Sequence, residues 1–143
     1  MYTADATVTG GRAQGRGRTS DGQLEVDLRT PKELGGEGGG TNPEQLFAIG
    51  YAACFESAMG VAGRRQHVAV DDVSIDAKVR LQPTGDGGFK LGVGLDVVLP
   101  SITDAAQAVE VVRAAHRICP YSNATRGNID VELTANRQAV TFP

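Results

Sequence analysis

The sequence holds only two cysteines in 143 residues, Cys54 and Cys119, and they stand 65 positions apart. Two are too few for the disulfide framework of a small secreted domain, and their separation excludes a CxxC redox or zinc motif. Only His67 and His116 could add nitrogen ligands. This composition argues against a metal site and leaves the two thiols to be explained.

Neither sign of charge is in large excess, because 14 basic residues stand against 17 acidic ones and the net charge is -3. A pI near 5.3 gives no general attraction for nucleic acid or for anionic lipid. We therefore expect a small molecule or another protein as the partner, and neither nucleic acid nor a membrane.

No stretch of the sequence is typical of an export signal or a membrane span. The first residues, MYTADATVTGG, have neither a basic start nor an apolar run of signal-peptide length. The longest apolar stretch, residues 46–62, is interrupted by Glu56 and Ser57 and is short for a bilayer. A cytoplasmic protein is expected.

Alternation of apolar and polar residues predicts six strands, four of them in two hairpins. The first hairpin turns at Asp21-Gly22, and the second turns within the glycine-rich residues 85–88. The predicted strands are residues 2–9, 13–20, 23–29, 73–81, 89–97 and 129–133.

Two helices are predicted between these strands. The first follows a flexible glycine-rich loop, with Asn42 as its cap and Pro43 in its first position, and runs to about Gly63. Small and apolar residues lie nearly all round it, so it should be buried on most sides and something must cover it. The second follows a capping box at residues 101–104 and ends at Pro120.

The resulting order is β-β-β-α-β-β-α-β, in a single domain over residues 1–143. Hairpins join the strands where a parallel sheet would need crossovers, so the fold class is α+β rather than doubly wound.

The cysteines have two interpretations. Taken alone, a cysteine in the middle of an apolar helix, such as Cys54, is more often a small core residue than a nucleophile. Cys119 precedes Pro120, so its thiol is expected at a helix end where the backbone can move. One fixed and one movable cysteine suit attack followed by resolution. A buried thiol needs a cation to become a thiolate, and Arg12, Arg16 and Arg18 are candidates.

Three segments carry a resemblance to a known family. They are Gly10-Gly11-Arg12, GTNPEQLFAIGYAACF at residues 40–55, and ICPYSNATRGNIDV at residues 118–131. Together they closely resemble the organic hydroperoxide resistance (Ohr) branch of the Ohr/OsmC family, and the likeness extends over almost the whole chain. The second and third segments contain both cysteines.

The resemblance implies a function and a set of site residues. Cys54 would be the peroxidatic cysteine, Cys119 the resolving cysteine, and an Arg12–Glu44 pair would orient and activate Cys54. It also implies an OsmC-like fold, with antiparallel sheets wrapped around a buried central helix in an intertwined homodimer. The dimer would reduce organic hydroperoxides, including those of fatty acids, with lipoylated proteins or dihydrolipoamide as electron donors and no bound cofactor or metal.

Apolar side chains near Cys54 could line a pocket for an alkyl chain, although core packing is the alternative for most of them. Arg16 and Arg18 match no functional position and are interpreted as solvated strand residues. His116 is interpreted as a charge at a helix end and His67 as a surface residue. The candidate pocket residues are Phe47, Ile49, Phe55, Met59 and Tyr121.

Glu44 and Cys54 are ten residues apart on the first helix, about 15 Å of axial rise, which is too far for contact within one straight helix. If this helix packs antiparallel on its twin across a two-fold axis, Glu44 of one chain comes level with Cys54 of the other. Gly50 and Ala53 would let the two backbones approach. The sequence therefore favours a site shared between subunits.

Two other classes of function are alternatives to the peroxidase. The first is a nucleotide-binding module, because the glycines of residues 35–40 precede a helix and could hold phosphate. However, no Lys-Ser or Lys-Thr follows these glycines, and Glu37 and Glu44 would repel phosphate. A non-enzymatic peroxide sensor on the same fold is the other alternative, although the sequence contains no recognisable DNA-binding motif.

Overall fold

The computed structural model describes residues 1–142, which fall into two compact units: Met1–Leu46, and a second that begins at Phe47. Helices and strands are mixed and the α+β class is confirmed. The single domain over residues 1–143 stays a prediction. The elements are β1 (Ala6–Thr9), α1 (Gly11–Gln14), β2 (Gly15–Thr19), β3 (Glu25–Arg29), a 3-10 turn (Lys32–Leu34), α2 (Pro43–Gln66), β4 (Ser74–Pro83), β5 (Phe89–Val98), α3 (Ala105–Ile118), α4 (Pro120–Thr125), β6 (Val131–Ala135) and β7 (Gln138–Val140).

The first unit contains a three-stranded antiparallel sheet in the order β1-β2-β3. The predicted hairpin between β2 and β3 is confirmed. Gly22 adopts a left-handed φ of 72° in its turn. The Asp21 carboxylate accepts hydrogen bonds from the Thr19 hydroxyl at 2.7 Å and from the Gln23 N–H at 3.0 Å. Asp21 and Gly22 therefore close the turn as the sequence predicts.

The second unit contains a four-stranded sheet in the order β4-β5-β6-β7. The predicted hairpin of β4 and β5 is confirmed over ten paired residues. The expectation of purely antiparallel sheets is wrong at one place, because β6 runs parallel to β5. Residues 105–125 form two helices between these strands, and such a crossover returns the chain in the same direction.

The end of the chain differs from the sequence expectation, in which residues 129–133 are the last strand. Residues 138–140 form the edge strand β7, antiparallel to β6. The β6–β7 turn holds Asn136 and Arg137 at φ values of 47° and 71°, a left-handed conformation that asparagine tolerates. Three residues of strand are too short to give a clear alternating pattern, so the sequence did not reveal it.

Helix α2 begins at Pro43 as predicted, and its cap is confirmed, because the Gln45 N–H donates to Asn42 Oδ1 at 2.9 Å. In the single chain α2 is buried along one stripe rather than on most sides. Tyr51, Phe55 and Met59 are fully buried, whereas Ile49 is 70% exposed. The spacing of the buried residues is that of one helical face.

Helix α3 covers the sheet of the second unit. Its predicted capping is confirmed in part, because Asp104 is the cap and accepts from the Gln107 N–H at 3.0 Å. Its buried face packs against α2 residues and the sheet in one core. The core consists of Tyr51, Phe55, Ala58, Met59, Ala62, Val93, Leu95, Val97, Leu99, Ile102, Ala108, Val111, Val112, Ala115, Cys119, Leu133, Ala135 and Val140, with Phe47 and Cys54 packed against it.

The length of α2 also differs from the expectation of a segment too short for a bilayer. The helix has 24 residues, which is long and apolar enough to cross a membrane by length and composition alone. The core helix of a globular protein passes the same test, and the buried face of α2 belongs to such a core.

Two glycines of α2 give a matched test of its packing. A Cβ at Gly63 would lie 2.5 Å from Val70 Cγ2 and 2.8 Å from the Val68 carbonyl oxygen, whereas a Cβ at Gly60 would meet only the end of Arg64 at 3.5 Å. We expect Gly63→Ala to lower the free energy of unfolding by about 1–3 kcal/mol, because a neighbour must shift. Gly60→Ala should leave it unchanged or raise it by up to about 1 kcal/mol through helix propensity. Urea denaturation of both variants measures the difference, and equal effects would contradict the packing argument.

Candidate active site

Arg12 and Glu44 form an ion pair within the first unit, with Arg12 Nη2 donating to Glu44 Oε1 at 2.6 Å. The Glu44 side chain is only 15% exposed and that of Arg12 is 40% exposed. A charge-assisted hydrogen bond at this distance orients the planar guanidinium. The structure therefore brings together the two residues that the family resemblance pairs.

The turn that carries Arg12 depends on glycine at both ends. Gly10 has a φ of 78°, and a Cβ there would lie 2.4 Å from the Gln14 carbonyl oxygen. A Cβ at Gly15 would lie 1.9 Å from the Gly11 carbonyl oxygen. Only glycine fits such close backbone approaches, so this one-turn helix holds Arg12 in a defined place.

The start of α2, which carries Glu44, is tied to the edge of β3. The Thr41 N–H donates to the Asp27 carbonyl oxygen, and the Arg29 N–H donates to the Thr41 carbonyl oxygen, each at 2.9 Å. Gly40 permits this approach, since a Cβ there would lie 2.5 Å from the Asp27 oxygen. Glu44 therefore stands on the first turn of a helix that is anchored to the sheet of its own unit.

Cys54 lies on α2 in the second unit, is partly buried, and is a free thiol. Burial raises the pKa of this thiol, and the backbone N–H of Tyr121 acts in the opposite direction. The nearby Cys119 thiol raises the pKa further. The two cysteines are therefore neighbours, 65 positions apart in sequence.

Cys119 stands at the junction of α3 and α4 and is fully buried. Its N–H donates to the Ala115 carbonyl oxygen at 2.8 Å, and its carbonyl oxygen accepts from the Asn123 N–H at 2.9 Å. Cys119 thus lies at a helix end as expected, with both of its backbone groups paired, and its mobility stays a prediction. Pro120 does end α3, but it also occupies the first position of α4, so the chain passes directly from one helix into the next.

Tyr121 packs its ring across α2. Its centroid lies 5.9 Å from that of Phe47 and 5.6 Å from that of Tyr51. A Cβ at Gly50 would lie 2.7 Å from the Tyr121 hydroxyl oxygen, so this glycine makes room for the phenol. In this chain the open side of Gly50 is thus covered by Tyr121, a role that the sequence did not suggest.

The five candidate pocket residues fall into three environments. Phe55 and Met59 are fully buried in the core, which is the alternative role of core packing. Phe47 is partly buried against the core, and Ile49 and Tyr121 are exposed at 70% and 37%. Their assignment to a substrate pocket stays a prediction.

A group of buried polar residues beside the thiols escaped the sequence analysis. Tyr51 Oη lies 2.8 Å from Ser122 Oγ, and His116 Nδ1 lies 2.9 Å from the same oxygen. Serine, tyrosine and histidine are common surface residues, and no spacing in the sequence marks these three as neighbours. The available signal was that His116 follows the buried Val112 and Ala115 on the apolar face of α3.

His116 is not the helix-end charge that the sequence suggested. Burial, together with the positive charge of Arg126, lowers its pKa to about 4, and only 8% of the residue is exposed. The imidazole is therefore neutral near pH 7. His67 is exposed as expected.

The remaining charged candidates lie on the surface. Arg16 and Arg18 are exposed strand residues as expected, and Arg16 pairs with Glu25. Within residues 1–142, no cluster of three or more histidine, cysteine, aspartate or glutamate side chains is placed to hold a metal ion. A site without a metal stays a prediction.

The fold and the paired thiols define an OsmC-like protein, and a family model described as OsmC-like protein matches residues 36–134. Together with the relatives below, this shows that the chain belongs to the Ohr/OsmC family. The organic hydroperoxide resistance protein of Xanthomonas axonopodis pv. citri is 54% identical over 136 residues, which are 94% of each chain. The protein OhrB of Bacillus subtilis is 47% identical, over 93% of this chain and 96% of its own.

Solved structures give the same result. An organic hydroperoxide resistance protein from Vibrio cholerae, with captopril bound in one of its active sites, matches at a TM-score of 0.91 and 46% identity. The match covers 97% of this chain and 94% of that one. A Legionella pneumophila relative matches at a TM-score of 0.88 and 51% identity, over 93% and 96% of the two chains.

The lowered pKa of His116 predicts a pH-dependent stability. The unfolded chain binds a proton near pH 6.5 and the folded chain only near 4, so stability falls as the pH drops through this window. The loss should approach about 3 kcal/mol by pH 4. Thermal unfolding from pH 4 to 7 should show a smaller loss for His116→Asn than for the wild type. His67→Asn, at the other histidine, should keep the wild-type slope, and an unchanged slope in His116→Asn would contradict the assignment.

Proposed function

We propose that this protein is a thiol peroxidase that reduces organic hydroperoxides, including those of fatty acids, to alcohols. The observation that carries the proposal is the proximity of two free thiols, the partly buried Cys54 on α2 and the buried Cys119 between α3 and α4. The names of the relatives, which refer to organic hydroperoxide resistance, support the substrate class.

In the first step the Cys54 thiolate attacks the distal oxygen of the hydroperoxide. The O–O bond breaks, the alkoxide takes a proton and leaves as an alcohol, and Cys54 becomes a sulfenic acid. The apolar side chains around α2 suit an alkyl substrate, and the partly exposed Tyr121 and Phe47 are the proposed contacts at its entrance.

In the second step Cys119 resolves the sulfenic acid. The S–O bond of Cys54 breaks, an S–S bond forms, and the hydroxyl leaves with the thiol proton as water. The proximity of the two thiols supports this step, since a disulfide forms only between cysteines that lie close together.

An external dithiol then reduces the disulfide by thiol–disulfide exchange and becomes a disulfide itself. We propose dihydrolipoamide or a lipoylated protein in this role, on the strength of the family resemblance. Two cysteines and the dithiol account for every electron in the cycle, so no bound cofactor or metal is required.

The proposed activation of Cys54 uses the Arg12–Glu44 pair. Burial raises the pKa of the Cys54 thiol, so a cation is needed to form a thiolate near neutral pH. Arg12 supplies a guanidinium, and Glu44 fixes its orientation through a hydrogen bond of 2.6 Å. The same guanidinium can donate hydrogen bonds to the peroxide oxygens.

The proposed assembly is an intertwined homodimer in which one subunit supplies Arg12 and Glu44 to Cys54 of the other. The ten residues between Glu44 and Cys54 on a continuous helix support this arrangement. The exposed Ile49, at 70%, supports a partner that covers this part of α2. We propose that the dimer acts in the cytoplasm, without nucleic-acid or membrane partners.

The first test separates attack from resolution, and also separates an enzyme from a non-enzymatic sensor. Wild-type protein should turn over tert-butyl hydroperoxide many times with dihydrolipoamide. Cys54→Ser should abolish peroxide reduction, whereas Cys119→Ser should permit one oxidation at Cys54 and block turnover with dithiols. A single oxidation without turnover in the wild type would favour a sensor, and full turnover in Cys119→Ser would refute the resolving role.

The second test concerns Arg12. In a Cys119→Ser background, the absorbance of the Cys54 thiolate is followed against pH. Arg12→Ala should move the midpoint upward, because the anion loses its guanidinium neighbour. Arg18→Ala, an exposed strand arginine, is the matched control and should leave the midpoint unchanged. A wild-type midpoint in Arg12→Ala would remove Arg12 from the mechanism.

A further inference from the structure

The buried polar residues beside the thiols form a chain whose hydrogen-bond direction is fixed. Thr125 Oγ1 lies 3.2 Å from the Ser122 carbonyl oxygen, which can only accept, so the Thr125 proton is committed there. Tyr51 Oη lies 3.2 Å from Thr125 Oγ1 and must therefore donate to it. Ser122 then donates to Tyr51, and His116 donates from Nδ1 to Ser122. All four contacts are satisfied together only in this order.

This order assigns the tautomer of His116. Its Nδ1 carries the proton, and in the neutral ring Nε2 carries the lone pair. Burial and Arg126 keep the ring neutral by lowering its pKa to about 4. Burial also raises the pKa of Tyr51, which keeps its hydroxyl protonated as a donor. The protonation of His116 and of Tyr51 therefore agrees with this order of donors and acceptors.

This chain of hydrogen bonds connects the helical turns that carry the two cysteines. Tyr51 lies three residues before Cys54 on α2, so the two share one face of the helix. His116 lies three residues before Cys119 and Ser122 three residues after it. Arg126 adds a further tie, since it donates to the His116 carbonyl oxygen and, at 2.8 Å, to Asn123 Oδ1.

We propose that Tyr51, Ser122 and His116 are positioning residues for disulfide formation, which hold Cys119 close to the Cys54 sulfur. The hydrogen-bond chain ties α2 to both sides of the α3–α4 junction. Without it, the junction could shift on α2 and the two sulfurs would meet less often. The inference rests on the proposed function for its peroxide readout, because it assigns residues to the resolution step.

The tautomer is a readout that does not depend on any activity. Nitrogen-15 NMR of the imidazoles in the reduced wild-type protein should assign the proton of His116 to Nδ1 and show exchange slower than for His67. A proton on Nε2 near pH 7 would break the directed chain and overturn the proposal.

The kinetic test separates the two chemical steps. Tyr51→Phe removes one hydroxyl and keeps the ring, so it is the variant least disturbed in its fold. With tert-butyl hydroperoxide, oxidation of Cys54 in the Cys119→Ser background should be unchanged by this substitution. Formation of the Cys54–Cys119 disulfide, followed as loss of free thiol, should slow by about tenfold, because a buried hydrogen-bond chain loses one member.

His116 gives a matched pair of variants. In His116→Asn, the asparagine keeps a donor close to the position of Nδ1. In His116→Leu, the leucine side chain is similar in size to histidine but has no donor. Disulfide formation should be slow in His116→Leu and largely restored in His116→Asn. Equal rates in both variants, or equal slowing of both chemical steps, would overturn the positioning role.

Failure of the proposed function remains distinguishable from failure of this inference. The azo oxidant diamide forms disulfides from two thiols and is itself reduced to a hydrazine, with no peroxide involved. A wild type that is inert to hydroperoxides would refute the peroxidase alone. With diamide, Tyr51→Phe and His116→Leu should still form the Cys54–Cys119 disulfide more slowly than the wild type, and wild-type rates in both would refute the positioning role.

Discussion

The thiol site depends on a break in helical geometry at Cys119, which lies between α3 and α4. The residue before a proline is forced toward extended backbone, and Cys119 has φ and ψ of -60° and 124°. The break is only one residue long, because Pro120 is already suited to the first position of a helix. Tyr121 follows in the first turn of α4, where an N–H has no partner within the helix and is free to bind the Cys54 sulfur.

In the proposed cycle, this arrangement favours resolution at the expense of thiolate formation. Cys119 is fully buried with both backbone groups paired, and it lies near Cys54. A nearby thiol would favour disulfide formation, whereas burial raises the pKa of the Cys54 thiol and disfavours its thiolate. The Arg12–Glu44 pair is the proposed compensation, since a fixed guanidinium lowers the free energy of the anion where solvent is scarce.

The sequence predicted the local features well and the long-range ones poorly. Asp21, Asn42 and Asp104 have short polar side chains that accept hydrogen bonds from backbone N–H groups two or three positions ahead. Their roles therefore follow from local chemistry. The Arg12–Glu44 pair spans 32 positions and was expected only through the family resemblance.

Local patterns could not predict the roles of residues that depend on tertiary packing. His116 was interpreted as a charge, because its position in the last turn of α3 is visible and its burial is not. Helix α4 was not predicted, because proline marks the end of one helix but does not indicate that another starts at once. The partners of Tyr51 lie more than 70 positions away, and no pattern of alternation reveals them.

The placement of Tyr51 and Tyr121 also determines how the molecule interacts with light. The chain has no tryptophan and three tyrosines, so its ultraviolet emission comes from tyrosine alone. Tyr2 is 84% exposed and lies in the first unit, whereas the tilted rings of Tyr51 and Tyr121 have centroids 5.6 Å apart beside the thiols. Two of the three tyrosines thus lie beside the thiols, so we expect a change at either sulfur to alter the emission of the native protein without an added label.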